Sequence, residues 1–298
     1  MIHFIKHLNG TKKIKFINFN IMPINIIFGS SGLIGNCLLK LVEKKKNFIF
    51  YSKNPHKFIK GWDLNKSLEY FPYKNIKTLF FFASPRYIKK NFSLKVYANE
   101  VIWLKNIIKN LHISKIVYIS SPSIFYKKNH FVGKNKLLCE KYLKKNQTKF
   151  DFIQIWRPYN LVGPNQGHSD HFHNYALQKM FIEKKSEFSF LGSSMDQRGY
   201  SDIDSFVKTL YRYSKKNISF TKNFGNKDIL KTSEIINIYN FYYQKLFQRS
   251  FKAKFSGKIT NISKVINGKN TIFELKSSKT VLLKHLKEYL REKKVLSL

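Results

Sequence analysis

The sequence predicts an α/β protein built around a doubly wound, Rossmann-like parallel sheet. Short apolar segments alternate with longer amphipathic segments through the first half of the chain, as strands and helices do in βαβ units. A glycine-rich turn follows the first apolar segment, and after about Pro164 the alternation gives way to helical segments and polar loops. We therefore expect a smaller C-terminal region beside the sheet.

The predicted strands are short and rich in β-branched and aromatic residues, which favour extended backbone. Near-continuous apolar runs are typical of parallel strands that are covered on both faces. Strands are predicted at 24–28, 48–51, 78–82, 115–120 and 152–156. Helices are predicted from the glycine-rich turn to about 45, at 93–111 and about 133–145, and then at 173–183, 201–215, 232–247 and 280–293.

Charge is the most unusual feature of the composition. The 298 residues include 55 Lys and Arg against 17 Asp and Glu, which gives a net charge of +38. Nearly all of these cations are lysines spread along the chain, whereas phosphate-binding surfaces usually favour the bidentate guanidinium of Arg. We expect no specific nucleic-acid partner. A nucleic-acid binder, resting on charge alone, is the least favoured of three hypotheses.

The other totals indicate a globular protein of a reducing compartment. A hydrophobic content of 43% can fill a large core, and Cys37 and Cys139 lie in predicted helices without the spacing of a metal site. No apolar run approaches the roughly 20 residues that span a membrane. We expect a cytoplasmic protein with no membrane partner. Residues 1–22 form a basic extension, interpreted either as a presequence or as a segment before a true start at Met22.

The glycine-rich turn has the spacing and the context of a dinucleotide-binding loop. It reads GSSGLIG from Gly29 to Gly35, between the first predicted strand and the first predicted helix. Gly29 permits a tight turn, Gly32 lets the backbone approach a pyrophosphate, and Gly35 allows close packing of the helix. An ordinary glycine turn is the alternative. The cofactor-binding candidates of this loop are Gly29, Ser31, Gly32, Leu33, Ile34 and Gly35.

The end of the second predicted strand bears on the choice of dinucleotide. An acidic residue there usually binds the 2′-hydroxyl of the adenosine ribose, but this segment reads YSKNP, with Lys53 as its charged residue. Because a cation suits a 2′-phosphate, the cofactor prediction is NAD or NADP, with NADP slightly favoured. In so lysine-rich a chain, Lys53 as a solvated side chain is the alternative.

Further motifs follow the loop in a fixed order. They are Trp62-Asp63-Leu64, Phe82-Ala83-Ser84, ISSPSIF at 119–125, RPYNLVGP at 157–164 and QRGYSDID at 197–204. Over roughly residues 23–225 this set resembles the extended short-chain dehydrogenase/reductase family, the NAD(P)-dependent sugar-nucleotide epimerases and dehydratases. The resemblance implies a dinucleotide-binding domain at 23–165 and a substrate-binding region at 166–298, some segments of which return to the first domain.

The resemblance also implies an activity and roles for single residues. The protein would be an NAD(P)-dependent oxidoreductase, epimerase or dehydratase acting on a nucleotide-activated sugar, with no metal; a homodimer is left open. Ser121 would hydrogen-bond the reacting oxygen of the substrate, and Asn160 and Arg198 would bind the sugar nucleotide. Beyond the glycine loop and Lys53, the cofactor would contact Asp63, Leu64, Ala83, Ser84, Lys136 and Pro158.

One departure from the family pattern concerns catalysis. The family's acid/base is the Tyr of a Tyr-x-x-x-Lys motif, and the matching positions here are Val132 and Lys136. Valine cannot transfer a proton, and general acid/base assistance contributes on the order of 10²–10⁴-fold in rate. Tyr126 is the nearest substitute in sequence, and Lys136 keeps a role at the nicotinamide ribose. The alternative function is that of a non-catalytic dinucleotide-binding protein of the same fold, a sensor or partner subunit.

A cluster of histidines follows Pro164. His168, His171 and His173 are close in sequence, which raises the question of a metal site, but Asp170 is the only carboxylate beside them. We therefore expect a polar loop on the substrate side rather than a metal centre.

Overall fold

The computed structural model describes residues 23–85, 94–125, 131–164, 172–257, 262–263 and 270–295, with only the backbone at 94–98 and 262–263. Four of the features singled out above lie outside these residues: the extension 1–22, Tyr126, and His168 and His171.

An eight-stranded, wholly parallel sheet forms the centre of the protein. Its strands are β1 (Asn25–Phe28), β2 (Phe48–Ser52), β3 (Lys60–Gly61), β4 (Asn75–Phe81), β5 (His112–Ile119), β6 (Phe152–Pro158), β11 (Phe220–Gly225) and β15 (Thr271–Phe273). Their order in the sheet is β15-β11-β6-β5-β4-β1-β2-β3. β2 and β3 are added on one side of β1 and the later strands on the other side, so the strand order reverses at β1. This is the Rossmann-like α/β sheet that the sequence predicts.

Short strands and seven helices in the described residues complete the chain. Three small sheets pair β7 with β10, β9 with β12 and β14, and β8 with β13. The strands are β7 (Leu161–Val162), β8 (Glu187–Phe190), β9 (Gln197–Arg198), β10 (Ser201–Asp202), β12 (Leu230–Lys231), β13 (Lys252–Phe255) and β14 (Ile262–Ser263). The helices are α1 (Leu33–Val42), α2 (Leu94–Asn110), α3 (Phe131–Lys145), α4 (Phe172–Leu177), α5 (Ile203–Ser214), α6 (Thr232–Phe247) and α7 (Ser278–Glu292).

Helices cover both faces of the large sheet. Because successive strand residues point to opposite faces, Ile27 packs with α1 and α5 while its neighbours Ile26 and Phe28 pack with α2 and α3. A third cluster gathers α4, α6 and α7 around Phe181, away from the sheet. Both faces of the large sheet are therefore buried under helices, and a ligand can be held only at the ends of its strands.

Three helix boundaries differ from the sequence prediction for identifiable reasons. α5 begins after Asp202, whose side chain accepts from the backbone N–H of Asp204, and α7 begins after Ser277, which accepts from the N–H of Thr280. The segment predicted as one helix at 173–183 starts as α4 and continues as a π-helical turn over Gln178–Ile182. Apolar periodicity identifies such helices but does not locate their caps.

A buried histidine in α7 predicts a loss of stability in acid. His285 is 3% exposed, and its Nε2 lies 3.0 Å from the Asn174 side-chain oxygen. Burial, and then the charge of Lys284, lower the pKa of His285 from 6.5 to about 4. Below pH 6.5 His285 binds a proton in the unfolded chain, whereas in the folded protein it binds that proton only near pH 4. Stability should therefore fall by roughly 2.5 kcal/mol between about pH 7 and about pH 4.5.

The measurement is denaturant unfolding at these two pH values for the wild type and for His285→Gln. The variant keeps every other titrating group, so the difference between the two pH dependences isolates the ring. An equal loss of stability in both proteins would show that His285 does not resist protonation.

Candidate functional site

The glycine loop joins β1 to α1 at the point where the sheet order reverses. Gly29 has a positive φ of 87°, and a side chain there would overlap the backbone at Phe82 and Ala83. A Cβ on Gly35 would lie 2.5 Å from the Gly29 carbonyl oxygen, so this glycine permits the close packing of α1 on the loop. At Gly32 the nearest atom to a Cβ is the same oxygen at 3.4 Å, and the space beyond is open.

The first turn of α1 presents its backbone to this open space. Gly32 is the N-cap and brings no side chain to cap the helix, and the first turn carries no acidic residue. Leu33, Ile34 and Gly35 begin the helix, where backbone N–H groups and the helix dipole favour an anion. Ser31 extends the loop towards β2 through a 2.7 Å hydrogen bond with the hydroxyl of Ser52.

The end of β2 carries Lys53 where an acidic residue is usual. The Lys53 side chain is 72% exposed, and its Nζ lies 3.4 Å from Asp63. Asp63 also accepts from the backbone N–H of Asn65, and this bond, with Lys53, holds the pKa of Asp63 below its ordinary value. Leu64 is buried beneath it. Lys53 therefore reaches solvent beside the loop with only a weak, screened partner.

Two serines lie at equivalent positions beyond the carboxyl ends of β4 and β5. Phe81 of β4 is in register with Tyr118 of β5, and three residues further on these strands lead to Ser84 and Ser121. The Oγ of Ser121 accepts from the backbone N–H and the hydroxyl of Ser123, at 3.2 and 2.7 Å. Because Ser121 is the acceptor in both contacts, its O–H can act as a donor.

Beneath these serines lies a buried ion pair. Nζ of Lys136, on α3, is 2.6 Å from the carboxylate of Glu100 on α2 and donates to the carbonyl of Ile119 at 2.9 Å. The same carboxylate accepts from the Tyr118 hydroxyl at 2.8 Å. It also accepts from the Asn135 amide at 3.0 Å and the Ser84 hydroxyl at 3.2 Å. Glu100 is 0% exposed, whereas Ser84 is exposed at the strand ends.

A second buried pair supports the neighbouring strand. Arg157, near the end of β6, donates from Nε and Nη2 to the carboxylate of Glu140 at 2.8 and 2.5 Å. The hydroxyl of Ser120 donates to the same carboxylate at 2.5 Å. This bidentate contact joins α3 to β6 and fixes the backbone that leads to Pro158.

The segments expected to hold substrate meet beyond β6. Asn160 has a φ of 35° and donates from its amide to the carbonyl of Gly199 at 2.9 Å. This contact brings Asn160 beside Arg198, the last residue of β9. The Arg198 guanidinium lies over the Phe172 ring at 5.5 Å and 3.8 Å from Asp196. Both predicted substrate residues thus lie next to each other, and their substrate roles remain predictions.

No family model matches the sequence, and no curated protein matches it. Solved structures do match. One is a UDP-galactose 4-epimerase, 15% identical, with a TM-score of 0.70 over 90% of this chain and 99% of that one. Another is the UDP-glucuronic acid 4-epimerase from Bacillus cereus in complex with NAD, 18% identical, with a TM-score of 0.67 over 92% and 98%. The chain shares the fold of these epimerases.

A third match is a structure with a UDP-linked ligand. It is the UDP-N-acetylglucosamine 4-epimerase from Methanobrevibacter ruminantium, in complex with UDP-N-acetylmuramic acid. It is 14% identical, with a TM-score of 0.69 over 91% of this chain and 99% of that one. The sequence-based expectation of a Rossmann-like α/β fold is confirmed.

Within this fold, Val132 lies in the first turn of α3 and is half-buried. It precedes Lys136 by four residues, so the two side chains share a helix face. Gly133, between them, lies so close to the carbonyl of Ser123 that a side chain there would overlap it. The start of α3 is thus pressed against the segment that follows Ser121.

Sequence reasoning missed Glu100 and Glu140. Glu100 is the one acid of α2, and it falls in an apolar stripe with Leu104, Ile107 and Ile108, a position that indicates burial. A buried carboxylate requires a cation, and that requirement points to Lys136.

The part of the chain that the structure describes offers neither a metal site nor a membrane-spanning helix. His173 lies buried in α4, against the rings of Tyr200 and His285. No group of three His, Cys, Asp or Glu residues in the described ranges could hold a metal ion. No helix within those ranges is long and apolar enough to cross a membrane.

Proposed function

We propose that the protein binds NAD or NADP and acts on a nucleotide-activated sugar as an oxidoreductase, epimerase or dehydratase. The observation that carries the proposal is the β1–α1 loop at the reversal of sheet order, where Gly32 alone leaves room above an uncapped helix N-terminus. Ligands of open α/β sheets bind at the carboxyl ends of the strands at this reversal.

The residues around the loop fit a dinucleotide. The pyrophosphate would lie on the N–H groups at Leu33 and Ile34, since the N–H of Gly32 donates to the Gly29 carbonyl, with the adenosine towards Ser52 and Lys53 at the end of β2. The other half must then extend to the far side of β1, towards Ala83, Ser84 and Ser121. When bound, the dinucleotide would supply hydride exchange with a sugar carbon.

The chain's own groups would orient the sugar. Ser121 would donate a hydrogen bond to the reacting oxygen, because it is the acceptor in both of its contacts with Ser123. Asn160 and Arg198 would bind the nucleotide diphosphate part, where a guanidinium pairs well with phosphate oxygens. The solved epimerases with this fold are described with UDP-sugars, which supports a sugar nucleotide as the substrate class.

The test is calorimetry with NAD and NADP in both oxidation states, followed by turnover assays on a panel of sugar nucleotides. We expect micromolar or tighter binding of at least one dinucleotide and measurable conversion of at least one sugar. Absence of dinucleotide binding would overturn the proposal.

A second function is favoured by one observation, the valine at position 132. Valine offers no proton-transfer group, so the fold would serve as a dinucleotide sensor or as a partner subunit. Dinucleotide binding without turnover on any sugar nucleotide would favour this second function, and wild-type turnover would eliminate it.

The position of Lys53 predicts a preference for NADP. Its exposed ammonium would pair with the 2′-phosphate, so Lys53→Ala should weaken NADP binding on the order of tenfold and leave NAD binding unchanged. Calorimetry with both cofactors measures the change. Lys149→Ala is the matched control, because this exposed lysine precedes the amino end of β6, whereas Lys53 follows the carboxyl end of β2. An equal loss for NAD and NADP would rule out a 2′-phosphate contact.

A further inference from the structure

Glu100 occupies the centre of the buried network under Ser84 and Ser121. A carboxylate with no exposed surface is tolerated only when it is paired and hydrogen-bonded, and Glu100 meets this requirement with the ammonium of Lys136 and three neutral donors. Lys136 is itself only 6% exposed. The two side chains therefore form one internal unit with no net charge.

The sheet order places this unit under one half of a bound dinucleotide. With the pyrophosphate at β1 and the adenosine at β2, the nicotinamide half would extend towards β4 and β5, and this step rests on the proposed function. Ser84 follows β4 and is exposed there, and its hydroxyl is bonded to Glu100. Lys136 contacts the carbonyl of Ile119, the last residue of β5. The pair would thus lie beneath the residues that face the nicotinamide half.

Charge at this position distinguishes the two oxidation states of the cofactor. The oxidised nicotinamide ring carries a positive charge and the reduced ring carries none. An unpaired ammonium below the ring would repel the oxidised form, and the neutral pair removes that repulsion. We infer that Glu100 is a positioning residue that neutralises Lys136 and thereby lets the site retain the oxidised dinucleotide.

The test compares affinities for the oxidised and reduced forms of the cofactor that the wild-type protein binds. In Glu100→Gln the charge of Lys136 is no longer balanced. At about pH 6, where a lysine is protonated, the ratio of affinities should move towards the reduced form on the order of tenfold. A change smaller than about twofold would overturn the inference. A merely structural role would weaken both forms equally and leave the ratio unchanged.

The double variant Glu100→Gln/Lys136→Met removes both charges. It should recover the wild-type ratio, because a neutral pair is replaced by two neutral side chains of similar size. If Glu100→Gln does not fold, Lys136→Met supplies the test. It leaves the carboxylate of Glu100 unbalanced, so at about pH 8, where a carboxylate is ionised, the ratio should move towards the oxidised form, and an unchanged ratio would overturn the inference. Failure of the wild type to bind any dinucleotide is a separate result, which would overturn the proposed function and this inference with it.

Discussion

Gly32→Val is expected to abolish dinucleotide binding while leaving the protein folded. The backbone at Gly32 has φ −77° and ψ 170°, which any residue adopts, and a Cβ there meets only the Gly29 carbonyl oxygen at 3.4 Å. The branched side chain would fill the open space above the start of α1. Because charge-assisted hydrogen bonds contribute about 1.5–3 kcal/mol each, losing two of them should weaken binding on the order of a hundredfold or more.

Gly35→Val is the contrasting variant in the same loop. Its Cβ would lie 2.5 Å from the Gly29 carbonyl oxygen and 2.6 Å from the Ser30 Cα, so α1 would have to move. We expect it to lose about 3 kcal/mol of stability, by overpacking, whereas Gly32→Val should stay within about 1 kcal/mol of the wild type. Calorimetry and denaturant unfolding of both variants separate the two roles. Unchanged affinity in a folded Gly32→Val protein would show that no pyrophosphate binds at this loop.

The large sheet is predictable from the sequence where its signals are local. Five of its strands are apolar runs, three of the four connections between them contain a helix, and the glycine loop marks the reversal at β1. The last two strands of this sheet in chain order are not predictable in this way. β11 reads FTKNFG and β15 is only three residues long, and both are placed by pairing with strands that are distant in sequence. Pairing of this kind is a tertiary effect that periodicity does not record.

The candidate site is likewise only partly predictable from the sequence. Motif spacing identifies Gly32, Ser121 and Lys136, because each stands at the end of a strand or at a fixed place in the following helix. It does not reveal Glu100, since Glu100 and Lys136 are 36 positions apart in sequence and lie on different helices. The sequence predicts a lysine at the nicotinamide ribose, and the fold pairs that lysine with a buried acid. The electrostatics of the site therefore depend on packing that only the structure provides.

Val132→Tyr is expected to raise turnover on a sugar-nucleotide substrate by on the order of 10²–10⁴-fold. Val132 shares a helix face with Lys136 and is only half-buried, so a phenol there would project from the start of α3 beside Ser121. It would supply the proton-transfer group that valine lacks. Val132→Phe is the matched control, because it adds the same ring without the hydroxyl.

The pH dependence of the gain tests how the introduced phenol is activated. An ordinary tyrosine has a pKa of about 10, and the charge of Lys136 is balanced by Glu100, so the gain in Val132→Tyr should be largest at alkaline pH. Adding Glu100→Gln removes the negative charge beside Lys136; while the Lys136 ammonium keeps its proton, it favours the phenolate and should lower the midpoint of the kcat/KM profile by about one pH unit or more. Stopped assays across the pH range, on the single and double variants, measure both midpoints. Equal gains with Val132→Phe would mean that the ring only fills space, and identical midpoints would mean that Glu100 does not control the charge beside it.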